Sequence, residues 1–247
     1  MKHITGLLGG EYKPVDDIAL LQDVQVDEQH VAWRPMPKRV VLSAAHEQLL
    51  QMLDRPLTQA QGRARSRILP AYAAEGNRSS QAVLLRAFND IDDLLFGGIL
   101  RYRVHVHWRT HLKNESWLGS CSPPHTASND SSRVRINLAR DHAWYATAPN
   151  RRAYEWGTLI HEMLHAYLEI LTGGAMREEC TCKAQVYHGP KWTAATSAAA
   201  RKLGFPGFEA EHIGHASGEC HRWNDHTEFV RNRDAKRVGA DEYDKYR

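Results

Sequence analysis

The chain has 247 residues, 42% hydrophobic and 25% charged, with a formal net charge of +3. That composition excludes a disordered or collagen-like chain, and the charge alone is too small to define a nucleic-acid binder. No run of eighteen apolar residues occurs, which excludes a membrane-spanning helix, and the opening MKHITGLLGGEYKPVDD lacks the apolar stretch of a signal peptide. Four cysteines (Cys121, Cys180, Cys182 and Cys220) in a chain this long do not make a disulfide framework, which points to a reducing compartment.

Residues 1–79 read as a basic, partly irregular extension with one helix at residues 43–53, where apolar side chains recur at helical spacing. Arg34, Lys38, Arg39, Arg55, Arg63, Arg65 and Arg67 face only Glu47 and Asp54 in the stretch 34–67. With Trp33 and Tyr72 nearby, that charge suits single-stranded DNA, although a solvated basic face needs no partner at all. The small and polar residues 73–80 read as a linker.

A denser pattern begins at residue 80. Residues 81–96 read as an amphipathic helix stopped by Gly97 and Gly98. Residues 100–108 alternate with period two, as do 133–138, and both read as half-buried strands. A long helix follows from about residue 151, with Asn150 as its N-cap and Gly173 and Gly174 at its end. Pro190 opens a last helix through Lys202, closed by Gly204. Residues 80–205 thus form an α+β domain, and the mixed charges of residues 206–247 read as a solvated tail.

The long helix carries His161-Glu162-Met163-Leu164-His165. Residues four apart share a helix face, so His161 and His165 can offer their imidazoles to one Zn²⁺. Glu162 lies one step round the helix, where a carboxylate can take a proton from a water at the ion. In a chain of this composition the five-residue match arises by chance roughly once in twenty sequences, so the apolar-flanked helix around it supplies the specificity. Two histidines leave a catalytic zinc one protein ligand short. The candidates further along are Glu178, Glu179, Cys180, Cys182 and His188, of which His188, just before Gly189 and Pro190, is the best placed.

Several segments now resemble, in order, the SprT-like zinc metalloprotease family. They are Phe88-Asn89-Asp90, Leu95 to Leu100, the strand ending in Trp108, Leu118 to Cys121, Arg135 to Leu138, His161 to Tyr167, and His188-Gly189-Pro190-Lys191-Trp192. The resemblance covers roughly residues 80–205 and is closest to the Spartan branch, which degrades proteins crosslinked to DNA. It implies a zincin-like domain with a small sheet, zinc held by His161, His165 and His188, and Glu162 as catalytic base. It also implies protein substrates, single-stranded DNA as a partner, and an intracellular, nuclear rather than cytoplasmic, location. The chain departs from the family in a longer stretch between His165 and His188 and in having no pair of CxxC motifs after Gly204.

Two other functional classes fit the same residues: a small zincin peptidase unrelated to DNA, and a zinc-containing DNA- or chromatin-binding module that no longer cleaves. An intact Glu162 argues against the module, because a structural zinc site has no use for that carboxylate. Cys180 and Cys182, with Cys220 and His221, read as packed or free thiols before a second metal site. His105 and His107 read as polar strand residues, and His212 and His215 as part of a mobile loop.

Overall fold

Five helices of two or more turns, one short helix and three strands surround one apolar core in this computed structural model, which describes residues 36–74, 81–101, 103–110, 118–122, 134–140, 150–173 and 188–214. The architecture is mostly helical with a small mixed sheet, α+β at the coarse level. No described helix is long and apolar enough to cross a membrane.

Helix α1 (Leu42–Asp54) buries Leu42, Ala45, His46, Leu49 and Leu53, a single stripe at helical spacing. It stops because Arg55 precedes Pro56 and is held extended. Helix α2 (Gln59–Ala74) was not expected: its stripe of Ala64, Ile68, Ala71 and Tyr72 is narrow and interrupted by arginines. Both helices lie within the expected N-terminal extension, yet they share one core with everything from Val83 to Ile213. Residues 73 and 74, read as the start of a linker, are the last residues of α2. Tyr72 is fully buried, stacked on Phe205 at 4.4 Å and edge-on to Trp156 at 5.4 Å, so it offers no face to a nucleic-acid base.

Helix α3 (Gln81–Ile91) runs into a π-helical turn, Asp92–Phe96, closed by Gly97 at φ 62°. The buried Asp92 carboxylate then accepts the backbone N–H groups of Leu100 (3.0 Å) and Arg101 (2.7 Å). That turn takes the first residues of the expected strand, so β1 spans Val104–Thr110 and not residues 100–108. Strand β2 (Gly119–Ser122) was unread in the sequence, and β3 is Val134–Arg140. The order is β1-β3-β2, with β1 parallel and β2 antiparallel to β3. The register sets Ser120 opposite Asn137, whose side-chain amide donates to the Ser120 hydroxyl at 3.2 Å.

Helix α4 (Arg151–Thr172) is the spine of the molecule. The Asn150 side chain accepts the Ala153 N–H at its start, and Gly173 ends it in the left-handed region at φ 65°. It packs on β2 and β3 and on α1. The short α6 (Ala210–Gly214) closes over it, and helix α5 (Pro190–Leu203) packs on α1 and α6.

Candidate metal centre

His161 and His165 stand one turn apart on α4, 2% and 9% exposed, and the chain returns to them at His188, immediately before α5. One ligand atom from each of the three lies within 4.8 Å of the others. The His165 Nε2 is 3.1 Å from both the His161 Nε2 and the His188 Nε2. Three ring nitrogens converging at that range cannot all be satisfied by protons shared among themselves, because a neutral imidazole has one N–H to give. The His161 proton is already assigned: its Nδ1 lies 2.8 Å from the Ile213 carbonyl, which can only accept. The His161 Nε2 therefore presents a lone pair to the centre. Burial is the main cause holding His161 down to about 3 and His165 well below the ordinary imidazole value, with neighbouring histidines adding to it. Both rings are neutral at pH 7, the form that ligates a cation. The three histidines are placed to hold a metal ion.

Trp192, read in the sequence only as part of the family resemblance, and several groups that sequence reasoning missed shape the centre. Trp192 stacks on His165 at 4.3 Å and lies 4.8 and 4.9 Å from the rings of His161 and His188, sealing one side with an apolar wall. His46 reaches the same neighbourhood from α1, close enough for its charge to act on His165. Gly157, one turn before His161, is tightly covered: a Cβ there would overlap the His212 carbonyl. Its missing side chain lets α6 approach α4 until Ile213 reaches His161. The contacts of His46, Gly157 and Ile213 join residues more than 50 positions apart and leave no local pattern to read.

Glu162 is 3% exposed beside His161, and burial pushes its carboxyl up to about 8. Its Oε1 lies 2.8 Å from where a Cβ on Gly119 would stand, so β2 passes directly against it. Strand β2 is at the edge of the sheet, and among the described residues it pairs only with β3.

Of the other sequence candidates, His105 and His107 fall on β1 as expected. His212 does not lie in a loop: it is 5% exposed in α6, its Nδ1 accepts the Glu209 N–H at 2.8 Å, and its ring packs on Tyr154 and Phe208. Gly189 is extended at φ −75°, a conformation open to any residue, so no backbone requirement for glycine arises there. Glu178, Glu179, Cys180, Cys182, His111, His215, Cys220, His221 and Trp33 lie outside the described residues. In the basic stretch, Arg67 forms a bidentate pair with the buried Asp90 carboxylate, a structural role and not a free surface charge. No family model, curated protein or solved structure matches the chain.

Proposed function

We propose that the chain is a zinc-dependent endopeptidase of the SprT-like type, with a zincin-like arrangement around the His161-Glu162-x-x-His165 helix and His188 as third ligand. The observation that carries this reading is the convergence of three imidazoles beside a buried carboxylate, next to a strand that among the described residues pairs on one side alone. Tetrahedral zinc with nitrogen ligands at about 2.0–2.1 Å holds them about 3.3–3.4 Å apart, near the 3.1 Å spacing about His165. Zinc bound there supplies Lewis acidity toward a water and toward the scissile carbonyl. The protein's own groups do the rest. Glu162 takes the proton from the attacking water and returns it to the leaving amine. The edge of β2, which among the described residues pairs only with β3, offers backbone donors and acceptors to an extended peptide, and the missing side chain of Gly119 leaves the Glu162 carboxylate its place against the strand. Trp192 keeps bulk water from one side of the centre.

The ordered sequence resemblance to the Spartan branch supports DNA-associated or DNA-crosslinked proteins as substrates, single-stranded DNA as partner and the nucleus as location. A zincin peptidase unrelated to DNA is the second reading, favoured by the burial of Tyr72 and the internal pairing of Arg67. Incubating the zinc-loaded protein with a DNA-binding protein, with and without single-stranded DNA, separates the two. In the same assay Glu162→Gln should retain zinc while cleavage falls by at least roughly 10²–10⁴-fold. Cleavage by Glu162→Gln at the wild-type rate sinks the peptidase mechanism.

A further inference from the structure

The C-terminal ends of α1 and α5 meet beside α2 and border an open cleft of about 270 Å³. Arg55, Arg65, Arg201 and Lys202 line it, against a single carboxylate, Asp54. Helix C-termini ordinarily repel anions through their unpaired carbonyls. Here those carbonyls are occupied. The Lys202 ammonium donates to the Met52 carbonyl at 2.6 Å and the Arg55 carbonyl at 3.3 Å, and the Arg65 Nε donates to the Leu203 carbonyl at 2.9 Å. Capping explains why Lys202 and Arg65 are present, but it leaves donors over. The terminal nitrogens of Arg65 are not used in that bond. The Arg55 guanidinium makes no hydrogen bond or ion pair among the described residues. Arg201 has only Asp54, at 3.5 Å, in a pair with 68% and 65% of the side chains exposed, a geometry that contributes little.

Guanidinium forks match the oxygens of a phosphate, and an ammonium adds a point charge. The cleft volume is below the roughly 300–1,000 Å³ of pockets that hold whole small molecules, which suits one phosphoryl group with part of what carries it.

We propose that this cleft is a phosphate-binding site, taking a phosphomonoester or phosphodiester group of a nucleotide or a nucleic-acid strand. It lies at the far end of α5 from the metal centre. His188 precedes the first residue of that 14-residue helix, and Lys202 is next to its last, a separation of roughly 20 Å at the α-helical rise. A strand held at the cleft therefore leaves the carboxylate and the edge of β2 clear. The site does not depend on the peptidase reading.

The test uses the zinc-loaded full chain and two probes, inorganic phosphate by calorimetry and a fluorescent 20-residue oligothymidylate by anisotropy at low salt. Arg55→Gln/Arg201→Gln removes two exposed cations, of which Arg201 makes only the weak exposed pair with Asp54, so its melting temperature should stay close to the wild type's. Its oligonucleotide affinity should fall by about 10-fold or more, and the salt dependence should lose about two phosphate contacts. Asp54→Asn should strengthen binding. Lys38→Gln/Arg135→Gln, which removes two exposed cations outside the cleft, should change affinity by less than about 3-fold. Competition between the two probes assigns the phosphate to a nucleic-acid strand. Phosphate binding that the cleft variant loses, with no oligonucleotide binding, assigns it to a free phosphate or nucleotide. The proposal is overturned if the wild type binds neither probe, if the cleft variant binds both like the wild type, or if the charge-matched control weakens equally. Peptide cleavage, read in parallel, should be unchanged in the cleft variants. A wild type that binds phosphate but cleaves no peptide removes the peptidase reading and leaves this one standing.

Discussion

Gly119 is the residue where a single added methyl group would collide with the Glu162 carboxylate, the group proposed as catalytic base. Its Cβ position is 2.8 Å from Glu162 Oε1, 2.9 Å from Glu162 Cγ and 2.9 Å from the Thr158 methyl, distances at which something must move. Strand β2 is held by its ladder to β3, and Thr158 sits on the rigid α4, so the carboxylate is the part free to shift. Gly119→Ala is therefore expected to lower cleavage by on the order of 10²-fold, the cost of about an ångström of misplacement, while zinc stoichiometry stays at the wild-type value. Unchanged cleavage would show that β2 does not set the position of Glu162. The contrast with the histidines explains what a sequence can reveal. His161 and His165 are legible because the helix itself puts residues four apart on one face. His188 is legible because a metal short of a ligand demands one from further along the chain. Gly157 and His46 act on those groups only through packing across the fold, and nothing in their local spacing distinguishes them; Gly119 and Trp192 fall in segments that carry the family resemblance, but their contacts with Glu162 and His165 are set by the fold.

At the scale of elements, the junction between α3 and β1 shows how one buried carboxylate redirects a pattern. The periodicity of residues 81–96 suggests one helix and the alternation from residue 100 suggests a strand, but Asp92 captures the backbone between them. Its neighbour Asp93 pairs with Arg101 at 2.7 Å, which fixes the outer side of the same turn. Burial pushes the Asp92 carboxyl from 3.8 up to about 7, against the opposing pull of the Leu100 and Arg101 N–H groups and the Arg101 charge. Between roughly pH 4 and 7 the folded chain thus keeps a proton that the unfolded chain has released. The stability contributed by Asp92 is complete below about pH 4 and declines as pH rises to 7, by up to about 1.4 kcal/mol per pH unit. The buried neutral histidines His161 and His165 contribute a slope of the opposite sign, but they are common to wild type and Asp92→Asn. The difference in unfolding free energy between those two metal-free proteins isolates Asp92. Measured by urea denaturation at several pH values, the wild type's advantage should shrink steadily from pH 4 to 7. A constant difference would mean that Asp92 is ionised in the fold throughout.

For the molecule as a whole, the question is where the folding unit begins. Sequence periodicity places the start near residue 80, because Gln81–Ile91 is the first strongly amphipathic helix after a basic and polar stretch. The core does not respect that boundary. Leu42, Leu49 and Leu53 from α1 and Ile68 and Tyr72 from α2 are buried in the same cluster as the apolar face of α4. Arg67 of α2 neutralises the buried Asp90 of α3, and Val40 donates its N–H to the Leu171 carbonyl at 2.9 Å. The α2 stripe escaped notice because only Ile68 and Tyr72 are large, and the arginines between them look like a solvated face until their partners are known. At about 1.5–3 kcal/mol per large buried side chain, those five residues contribute on the order of 10 kcal/mol, comparable with the whole stability of a typical domain. A chain starting at residue 80 would also strand Asp90 as a buried charge without Arg67, and would uncover Trp156 and Phe205 where Tyr72 packs. Such a fragment should show no cooperative thermal transition by circular dichroism and no tight zinc binding, because two of the three proposed ligands, His161 and His165, sit on the helix that loses its support. Tyr72→Ala in the full chain is the graded version, expected to cost about 3–5 kcal/mol while leaving the three histidines in place. If the fragment from residue 80 melts cooperatively and holds zinc as the full chain does, α1 and α2 are accessories and the domain begins where the periodicity suggests.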